Sequence, residues 1–236
     1  MTPLEYLEKY GNPSKENINR LNNGEPVQYI VGNVSFYGNI IDVDKRVLIP
    51  RFETEELVEN TVKYIKKYNY KSIVDIGTGS GCIAITLKKI FSEILVDAVD
   101  ISKDALVVAK KNANKNNVYI NFYEGNLLEP LNKKYDVIIS NPPYIAYDEE
   151  IMDIVKNNEP HIALYASNNG LYYYEEILKN VYKYINSNGL IAFEIGYNQG
   201  EEIKKLASKY LNKYDFEIKK DMTGKDRMVF IRVTDI

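Results

Sequence analysis

Most of the chain alternates between short apolar runs and stretches with helical periodicity, beginning at Lys71. Strands are predicted at 72–76, 94–99, 118–123, 135–140 and 190–195, and helices at 82–91, 103–114, 171–185 and 200–211. Strands that are connected by helices run parallel and are covered on both faces, so they read as apolar runs with little alternation. The pattern therefore predicts an α/β protein with a doubly wound, mostly parallel sheet.

The end of the chain departs from this alternation. Phe216–Lys219 and Met228–Val233 are two predicted strands joined by a short loop that contains Gly224. Such a hairpin places one antiparallel strand at the end of the sheet. A terminal antiparallel strand is typical of the Rossmann-like class I methyltransferase fold, whereas a dinucleotide-binding dehydrogenase has six parallel strands. We therefore expect the methyltransferase form of the fold.

The segment before residue 47 has a different character. Residues 3–10 and 15–22 are predicted to be short helices, the second capped by Ser14. A β-hairpin is predicted from three β-rich runs that glycines separate, Val27–Val31, Val34–Tyr37 and Ile40–Val43. The expected regions are a short helical N-terminal element at 1–23, a β-hairpin linker at 24–46, and the sheet domain at 47–236, which opens with a helix at Glu53–Lys67.

A glycine-rich loop follows the first strand of the sheet, with the sequence Asp75-Ile76-Gly77-Thr78-Gly79-Ser80-Gly81, and leads directly into a helix. Glycines let the backbone turn tightly and approach a ligand, and the free N–H groups of a helix start favour an accepting ligand group. Asp100 ends the next strand, where a carboxylate can accept both hydroxyls of a ribose. These features suit NAD or S-adenosylmethionine. The GxGxG spacing, and Asp75 placed to meet the cofactor's amino group directly or through water, favour S-adenosylmethionine.

The fourth strand runs straight into Asn141-Pro142-Pro143-Tyr144. At the carboxyl end of a strand in such a sheet, this loop opens onto the ligand crevice. The prolines fix the backbone and remove two donors, so the loop offers acceptors at the Asn141 side chain and the Pro142 carbonyl, beside the aromatic face of Tyr144. The alternative is that the prolines only end the strand.

The Asn-Pro-Pro-Tyr loop suits methyl transfer to a planar amide or amine nitrogen. The lone pair of an amide nitrogen is delocalised, and two acceptors on its N–H bonds can orient the nitrogen and stabilise the positive charge that develops. An N-methylated amide cation loses its proton unaided, so neither a metal nor a catalytic histidine is expected. The catalytic residues predicted in this way are Asn141, Pro142 and Tyr144, and Pro143 joins them in binding the substrate.

Charge and composition indicate which kinds of binding partner and which cellular compartment to expect. The formal net charge is −3, which argues against a protein held on nucleic acid mainly by phosphate contacts. No apolar stretch approaches the length needed to span a bilayer, and the start lacks the pattern of a targeting signal. The one cysteine, Cys82, suits a reducing compartment. We therefore predict a cytoplasmic protein. It is expected to be monomeric and to bind neither membrane nor nucleic acid.

The chain resembles the release factor glutamine N5-methyltransferases from Gly24 onward. The resemblance rests on the glycine-rich loop, the Asn-Pro-Pro-Tyr loop, and two further blocks. These are Gly24-Glu25-Pro26-Val27-Gln28-Tyr29-Ile30 with Gly32, and Leu48-Ile49-Pro50-Arg51-Phe52-Glu53-Thr54-Glu55. Other methyltransferases with an Asn-Pro-Pro-Tyr loop generally lack these two blocks.

The resemblance implies a cofactor, a substrate and their contacts. S-adenosylmethionine would be held by Gly77, Thr78, Gly79, Ser80 and Gly81, with Asp100 on the ribose, Gly125-Asn126-Leu127 beside the adenine, and Asn141 near both cofactor and substrate. The substrate would be the glutamine of the Gly-Gly-Gln motif in bacterial peptide chain release factors. Asn126 stands where the family often has Asp and can still exchange hydrogen bonds with adenine. Arg51 and Phe52 are further predicted near the cofactor, whereas Glu194 is left out of the site.

The N-terminal region is shorter than the helical domain that is usual in this family. Residues 1–23 precede the Gly-Glu-Pro block, where the family usually has several dozen residues that help to hold the protein substrate. We therefore expect substrate recognition to depend more on the hairpin and the catalytic face.

Several other functions remain open at this level. A glutamine methyltransferase that acts on a ribosomal protein shares the chemistry. A nucleic-acid methyltransferase that acts on adenine N6 or guanine N2 would use the same acceptors on an extruded base. An NAD-dependent oxidoreductase and a non-catalytic binding module are the remaining alternatives, and both fit the Asn-Pro-Pro-Tyr loop poorly.

Overall fold

The structure of the protein is a computed structural model that describes residues 1–234. The N-terminal region contains three helices and one hairpin: α1 (Pro3–Tyr10), α2 (Lys15–Asn22), α3 (Val27–Val31), β1 (Asn33–Phe36) and β2 (Asn39–Asp42). The sheet domain contains α4 (Phe52–Tyr68), β3 (Ser72–Ile76), α5 (Cys82–Ile90), β4 (Leu95–Asp100), α6 (Lys103–Lys115), β5 (Asn121–Glu124), β6 (Tyr135–Ser140), α7 (Asp153–Asn158), α8 (Tyr172–Asn180), β7 (Ile185–Glu194), α9 (Gly200–Tyr210), β8 (Tyr214–Lys220) and β9 (Asp226–Val233).

Seven strands form one sheet in the order β5-β4-β3-β6-β7-β9-β8. The pairs from β5 to β7 are parallel, and β9 is antiparallel to both of its neighbours. The predicted fold class is therefore confirmed. The antiparallel strand is the last one along the described chain, but it lies between β7 and β8 rather than at the sheet's edge.

Two apolar clusters cover the two faces of the sheet. One contains Ile73, Val137 and Leu190 from the strands, with Leu57 of α4 and Ile85 of α5. The other cluster packs α8 and α9 against the opposite face of the same strands. Because both faces are buried, the central strands are largely apolar, and the buried carboxylates Asp75 and Asp97 are exceptions. Asp100 and Asn141 lie at the carboxyl ends of β4 and β6.

The N-terminal region confirms part of the prediction and corrects part of it. Helices α1 and α2 lie where they were predicted, and Ser14 caps α2 by accepting from the Asn17 backbone N–H at 3.2 Å. Val27–Val31 is a helix, so the prediction of a strand there is wrong. Only β1 and β2 form the hairpin.

Two further predicted elements are shorter than expected. Strand β5 begins at Asn121, so residues 118–120 precede it. Helix α8 ends at Asn180 and a short 3-10 turn follows, and Ile185, predicted in the helix, begins β7. Within residues 1–234, no helix has both the length and the apolar character to cross a membrane.

Candidate active site

The carboxyl ends of β3, β4 and β6 open onto one cavity. Its glycine-rich wall comes from the loop between β3 and α5, where Gly77 and Gly79 have φ angles of 71° and 55°. A Cβ atom added at either glycine would meet no atom within 4 Å, because both face open space. The loop therefore brings bare backbone to the cavity wall, as a nucleotide-like ligand requires.

Asp100 lies at the end of β4 and lines the same cavity. Its Oδ2 accepts from the Gly79 N–H at 2.8 Å, and its Oδ1 accepts from the Ser102 N–H at 2.8 Å. Burial raises the pKa of this carboxyl, whereas these backbone donors lower it. A carboxylate has about four acceptor positions, so hydroxyl groups of a ligand can still be bound.

The other predicted members of the glycine-rich loop lie beneath it rather than in the cavity wall. Thr78 is buried and donates to Oδ2 of Asp75 at 2.6 Å. Ser80 is also buried, and its carbonyl accepts from the Asn112 side chain at 2.9 Å. A Cβ at Gly81 would lie 3.2 Å from the Ala109 Cβ, so this glycine lets helix α6 pack closely. Thr78, Ser80 and Gly81 therefore support the loop on the side that faces away from the cavity.

Asp75 is wholly buried under the loop. Burial raises the pKa of its carboxyl to about 7, against the effect of the Thr78 hydroxyl. Its Oδ1 has no hydrogen-bond partner within residues 1–234. Contact between Asp75 and the cofactor's amino group stays a prediction.

Gly125, Asn126 and Leu127 line the same cavity, as the adenine-side prediction requires. Leu127 has a positive φ of 49°, and the Asn126 side chain donates to Oε1 of Glu129 at 3.1 Å. Apolar atoms of Ile76, Val99 and Ile101 complete this part of the wall.

Asn141 stands between this cavity, hereafter the cofactor cavity, and a smaller one. The smaller cavity, called the substrate cavity after the role proposed for it, is lined by Leu48, Arg51, Asn141, Tyr144, Ile145, Val155, Ala163, Leu164 and Glu194. Pro142 and Pro143 line the cofactor cavity, and Tyr144 lines the substrate cavity. The structure thus brings the whole Asn-Pro-Pro-Tyr loop to the boundary between the two.

The Asn141 side chain is held on one side only. Its Nδ2 donates to Oγ1 of Thr54 at 3.0 Å, and this hydroxyl donates to Oε2 of Glu194 at 2.6 Å. Neither Asn141 Oδ1 nor the Pro142 carbonyl accepts a hydrogen bond from the part of the chain that the structure describes. These two acceptors are therefore without a protein donor in the described residues.

Tyr144 is supported through its backbone and its ring. Its carbonyl accepts from Nε2 of Gln199 at 2.9 Å, and its ring packs against the cluster around α8. Burial raises the pKa of the Tyr144 hydroxyl, so it stays protonated. A Cβ at Gly170 would lie 2.1 Å from the same carbonyl, so only glycine allows this close approach.

Sequence reasoning missed some residues of the site and placed another in it. Thr54, Glu159 and Glu194 are buried and bonded to site residues. The sequence pointed to the block that contains Thr54 and left Glu194 out of the site, although Glu194 lines the substrate cavity, and it gave no signal for Glu159. Arg51 lines the substrate cavity and pairs with Glu159. Phe52 is 58% exposed and lines neither cavity.

The cofactor cavity fits S-adenosylmethionine. The carboxylate of Asp100 suits a ribose diol, and the apolar wall beside Leu127 suits an adenine ring. The bare backbone of Gly77 and Gly79 leaves room for the chain that links ribose and amino acid. Asn141 borders both cavities, where a methyl group would pass from cofactor to substrate.

Solved structures support the fold. The protein is similar to a ribosomal protein L11 methylase from Lactobacillus delbrueckii subsp. bulgaricus, with a TM-score of 0.60 and 20% identity over 78% of this chain and 81% of that one. It is also similar to the N-terminal domain of human METTL16 in complex with SAH, with a TM-score of 0.58 and 20% identity over 84% of this chain and 77% of that one.

Sequence comparisons show the family. Residues 36–160 match the model of the methyltransferase small domain. The release factor glutamine methyltransferase of Lactococcus lactis subsp. lactis (strain IL1403) is 43% identical over 90% of this chain and 79% of that protein. The enzyme of the same name from Bacillus subtilis (strain 168) is 41% identical over 91% and 78%. The chain belongs to the release factor glutamine methyltransferase family and is an S-adenosylmethionine-dependent methyltransferase, as its sequence predicts.

Proposed function

We propose that this protein methylates the side-chain amide nitrogen of the glutamine in the Gly-Gly-Gln motif of bacterial peptide chain release factors. The names of its relatives support this substrate. The observation that carries the proposal is a pair of acceptors without protein donors in the described residues, Asn141 Oδ1 and the Pro142 carbonyl: Asn141 borders both cavities and Pro142 lines the cofactor cavity. Such a pair matches the two N–H bonds of a primary amide.

Asn141 and Pro142 orient the nitrogen for reaction. When bound, S-adenosylmethionine supplies an electrophilic methyl group on its sulfonium sulfur. Asn141 Oδ1 and the Pro142 carbonyl accept the two N–H bonds, which directs the nitrogen lone pair and stabilises the positive charge that develops. Holding the amide in this geometry favours the pyramidal nitrogen that a new N–C bond requires.

Tyr144 supports the planar part of the substrate. Its ring lines the substrate cavity, where it can stack on the amide and favour the developing cation. Its hydroxyl stays protonated, so it is not a general base. Because an N-methylated amide cation is strongly acidic, its excess proton passes to water once the bond has formed, and the side chains need only orient the amide.

The proposed partner is a protein, and the proposed compartment is the cytoplasm. A net charge of −3 provides little attraction for phosphates, which disfavours a nucleic-acid substrate. The buried thiol of Cys82 suits a reducing compartment. We infer that the protein acts as a monomer, which size-exclusion chromatography with light scattering tests.

The direct test is transfer of labelled methyl from S-adenosylmethionine to a purified bacterial release factor. The matched control is the same release factor with the glutamine of its Gly-Gly-Gln motif changed to alanine. We expect label on the first and none on the second. Equal labelling of both would show that the glutamine of the Gly-Gly-Gln motif is not the methylated residue. Labelling of a ribosomal protein or a nucleic acid, with none of the release factor, would show that the release factor is not the substrate.

A further inference from the structure

The Asn141 side chain faces the Thr54 hydroxyl, which already donates its proton to Glu194. Thr54 lies in the first turn of α4, is 2% exposed, and donates to Oε2 of Glu194 at 2.6 Å. Glu194 ends β7 and is 1% exposed. A threonine hydroxyl has a single proton, so once that proton is donated to the ionised Glu194 carboxylate, the Thr54 oxygen can act only as an acceptor towards Asn141.

This constraint decides which way round the Asn141 amide lies. Its carbonyl and amino ends are similar in size, and rotation by half a turn would exchange them. An acceptor at Thr54 requires the amino end of Asn141 to face it, and the Nδ2–Oγ1 distance is 3.0 Å. Oδ1 is therefore directed away from Thr54, where it can accept from a substrate amide.

We propose that Thr54 and Glu194 are positioning residues that keep the Asn141 carbonyl oxygen turned towards the substrate amide. The inference rests on the proposed function, because it concerns the acceptor that the substrate uses. A rotated Asn141 would present its NH2 group to the NH2 group of the substrate, and two donors facing each other cannot bond. Fixing the amide before the substrate arrives removes this unproductive form.

Burial gives the arrangement its strength. Thr54, Glu194 and Asn141 come from α4, the end of β7 and the end of β6, so three separate elements hold them. An acceptor or donor left without a partner in such a buried place is destabilising, which keeps each hydrogen bond formed. The titratable groups that interact electrostatically with Glu194 include Arg227, Arg51, Glu53, Tyr144, Tyr174 and Cys82.

The test compares three variants of helix α4. Thr54→Val removes the hydroxyl and keeps the shape, Thr54→Ser keeps the hydroxyl, and Thr61→Val is the matched control. Thr61 is also buried in α4, but its hydroxyl donates to the Leu57 carbonyl at 2.7 Å, away from the site. The measurements are kcat and KM for label transfer, the Kd for S-adenosylmethionine, and the melting temperature.

For Thr54→Val we expect kcat to fall roughly 10- to 100-fold, as for a misoriented reactant, with the Kd for S-adenosylmethionine unchanged within about threefold. Thr54→Ser should stay within about threefold of wild type, because the hydroxyl is the group that matters. Thr61→Val should match wild type. Wild-type kcat in Thr54→Val, or equal losses in Thr54→Val and Thr54→Ser, would overturn the proposal.

Glu194→Gln tests the carboxylate separately. A glutamine can either accept from Thr54 or donate to it, so the direction of the chain of hydrogen bonds is no longer fixed. We expect a smaller loss of kcat than in Thr54→Val, and full activity would remove Glu194 from the proposal. The side-chain amide resonances of Asn141, assigned with Asn141→Ala, should shift in both variants, and unchanged resonances would also overturn it.

Failure of the inference and failure of the proposed function give different results. Wild-type protein that labels no release factor would reject the function, while the amide resonances of Asn141 would still report on its orientation. Wild-type protein that labels the release factor, together with a fully active Thr54→Val, would reject only the inference.

Discussion

Nη2 of Arg51 lies 2.5 Å from Oε1 of Glu159, and this ion pair joins two segments that are 108 residues apart. The Glu159 carboxylate is almost wholly buried, and its Oε2 accepts from the Ile49 N–H at 3.1 Å. The segment after Glu159 contributes Pro160, Ile162 and Ala163 to the cofactor cavity. The pair therefore fastens one wall of that cavity to the start of α4.

Arg51→Ala should destabilise the protein, because it leaves the Glu159 carboxylate buried without its cation. We expect a loss of about 2 kcal/mol, less than for a fully buried pair, because the Arg51 side chain is 33% exposed. S-adenosylmethionine should also bind more weakly. Urea unfolding and a cofactor titration measure the two effects.

The matched control for Arg51→Ala is Lys63→Ala, which breaks the exposed ion pair to Glu59 on α4. Its effect should stay within about 0.5 kcal/mol. An Arg51→Ala protein as stable as this control would contradict the role given to the Glu159 pair.

Asn141→Ala should lower kcat by roughly two to three orders of magnitude, as for removal of a transition-state hydrogen bond. The free energy of unfolding should change little, because the Asn141 side chain makes one protein hydrogen bond within the described residues. Label transfer under saturating cofactor and substrate measures kcat. Turnover like that of wild type would reject the acceptor role of Asn141.

Asp100→Ala should act mainly on cofactor affinity. The carboxylate lines the cofactor cavity and also holds the Gly79 N–H, so its removal affects both the ribose contact and the glycine-rich loop. We expect the Kd for S-adenosylmethionine to rise roughly 10- to 100-fold, the value of one or two hydrogen bonds to a charged group. Calorimetric titration measures it, and an unchanged Kd would show that Asp100 does not bind the cofactor.

Gly170→Ala should displace the Asn-Pro-Pro-Tyr loop through a clash with the Tyr144 carbonyl. The added Cβ would lie 2.1 Å from the Tyr144 carbonyl and 2.5 Å from Nε2 of Gln199, so the loop must move. Gly224→Ala is the control, since its φ of 84° carries a similar backbone strain but no atom lies within 4 Å of the new Cβ. Gly170→Ala should cost about 1–3 kcal/mol more than this control in thermal or urea unfolding and should lower kcat.

The contribution of Glu194 to the free energy of unfolding should fall as the pH rises, because burial raises the pKa of Glu194 to about 7. In the unfolded chain a glutamate titrates near its ordinary pKa of about 4.3. Between these two values the folded state binds the extra proton, so the stability that Glu194 contributes at low pH is lost as the pH rises towards 7.

Glu194→Gln should remove this part of the pH dependence. The stability of the variant relative to wild type should rise by about 3 kcal/mol between pH 4.5 and pH 8, as urea unfolding at both values would show. Asp75, whose pKa is also raised to about 7, is present in both proteins and cancels in the comparison. Parallel pH profiles would show that folding does not raise the pKa of Glu194.

The sheet and the loops of the site could be predicted because short, local sequence patterns specify both. The strand β6 and the Asn-Pro-Pro-Tyr loop adjoin in the chain, as do β3 and the glycine-rich loop. Contacts such as Thr54 with Glu194, 140 residues apart, leave no periodicity that could predict them. A lone glutamate in a loop or at a strand end has many ordinary explanations.

Val27–Val31 shows a different reason for failure. Its β-branched residues favour a strand, yet Val27 and Ile30 pack against Leu7 of α1, which a helix allows and a strand in the hairpin does not. Gly32 ends this helix with a φ of 83°. Tertiary packing here outweighs a local preference of less than about 1 kcal/mol per residue.

The position of β9 in the sheet means that the outer edge of β7 pairs with a strand that is made after β8. Strand β7, which carries Glu194, leaves the ribosome with its outer edge bare, since β8 is made next but does not pair with it. Only when Asp226–Val233 emerges can the hairpin dock and Met228 pair with Glu194. A nascent chain that has not yet made this strand has the glycine-rich loop but an unpaired β7 edge, so Glu194 lacks its second strand neighbour until Asp226–Val233 has been made.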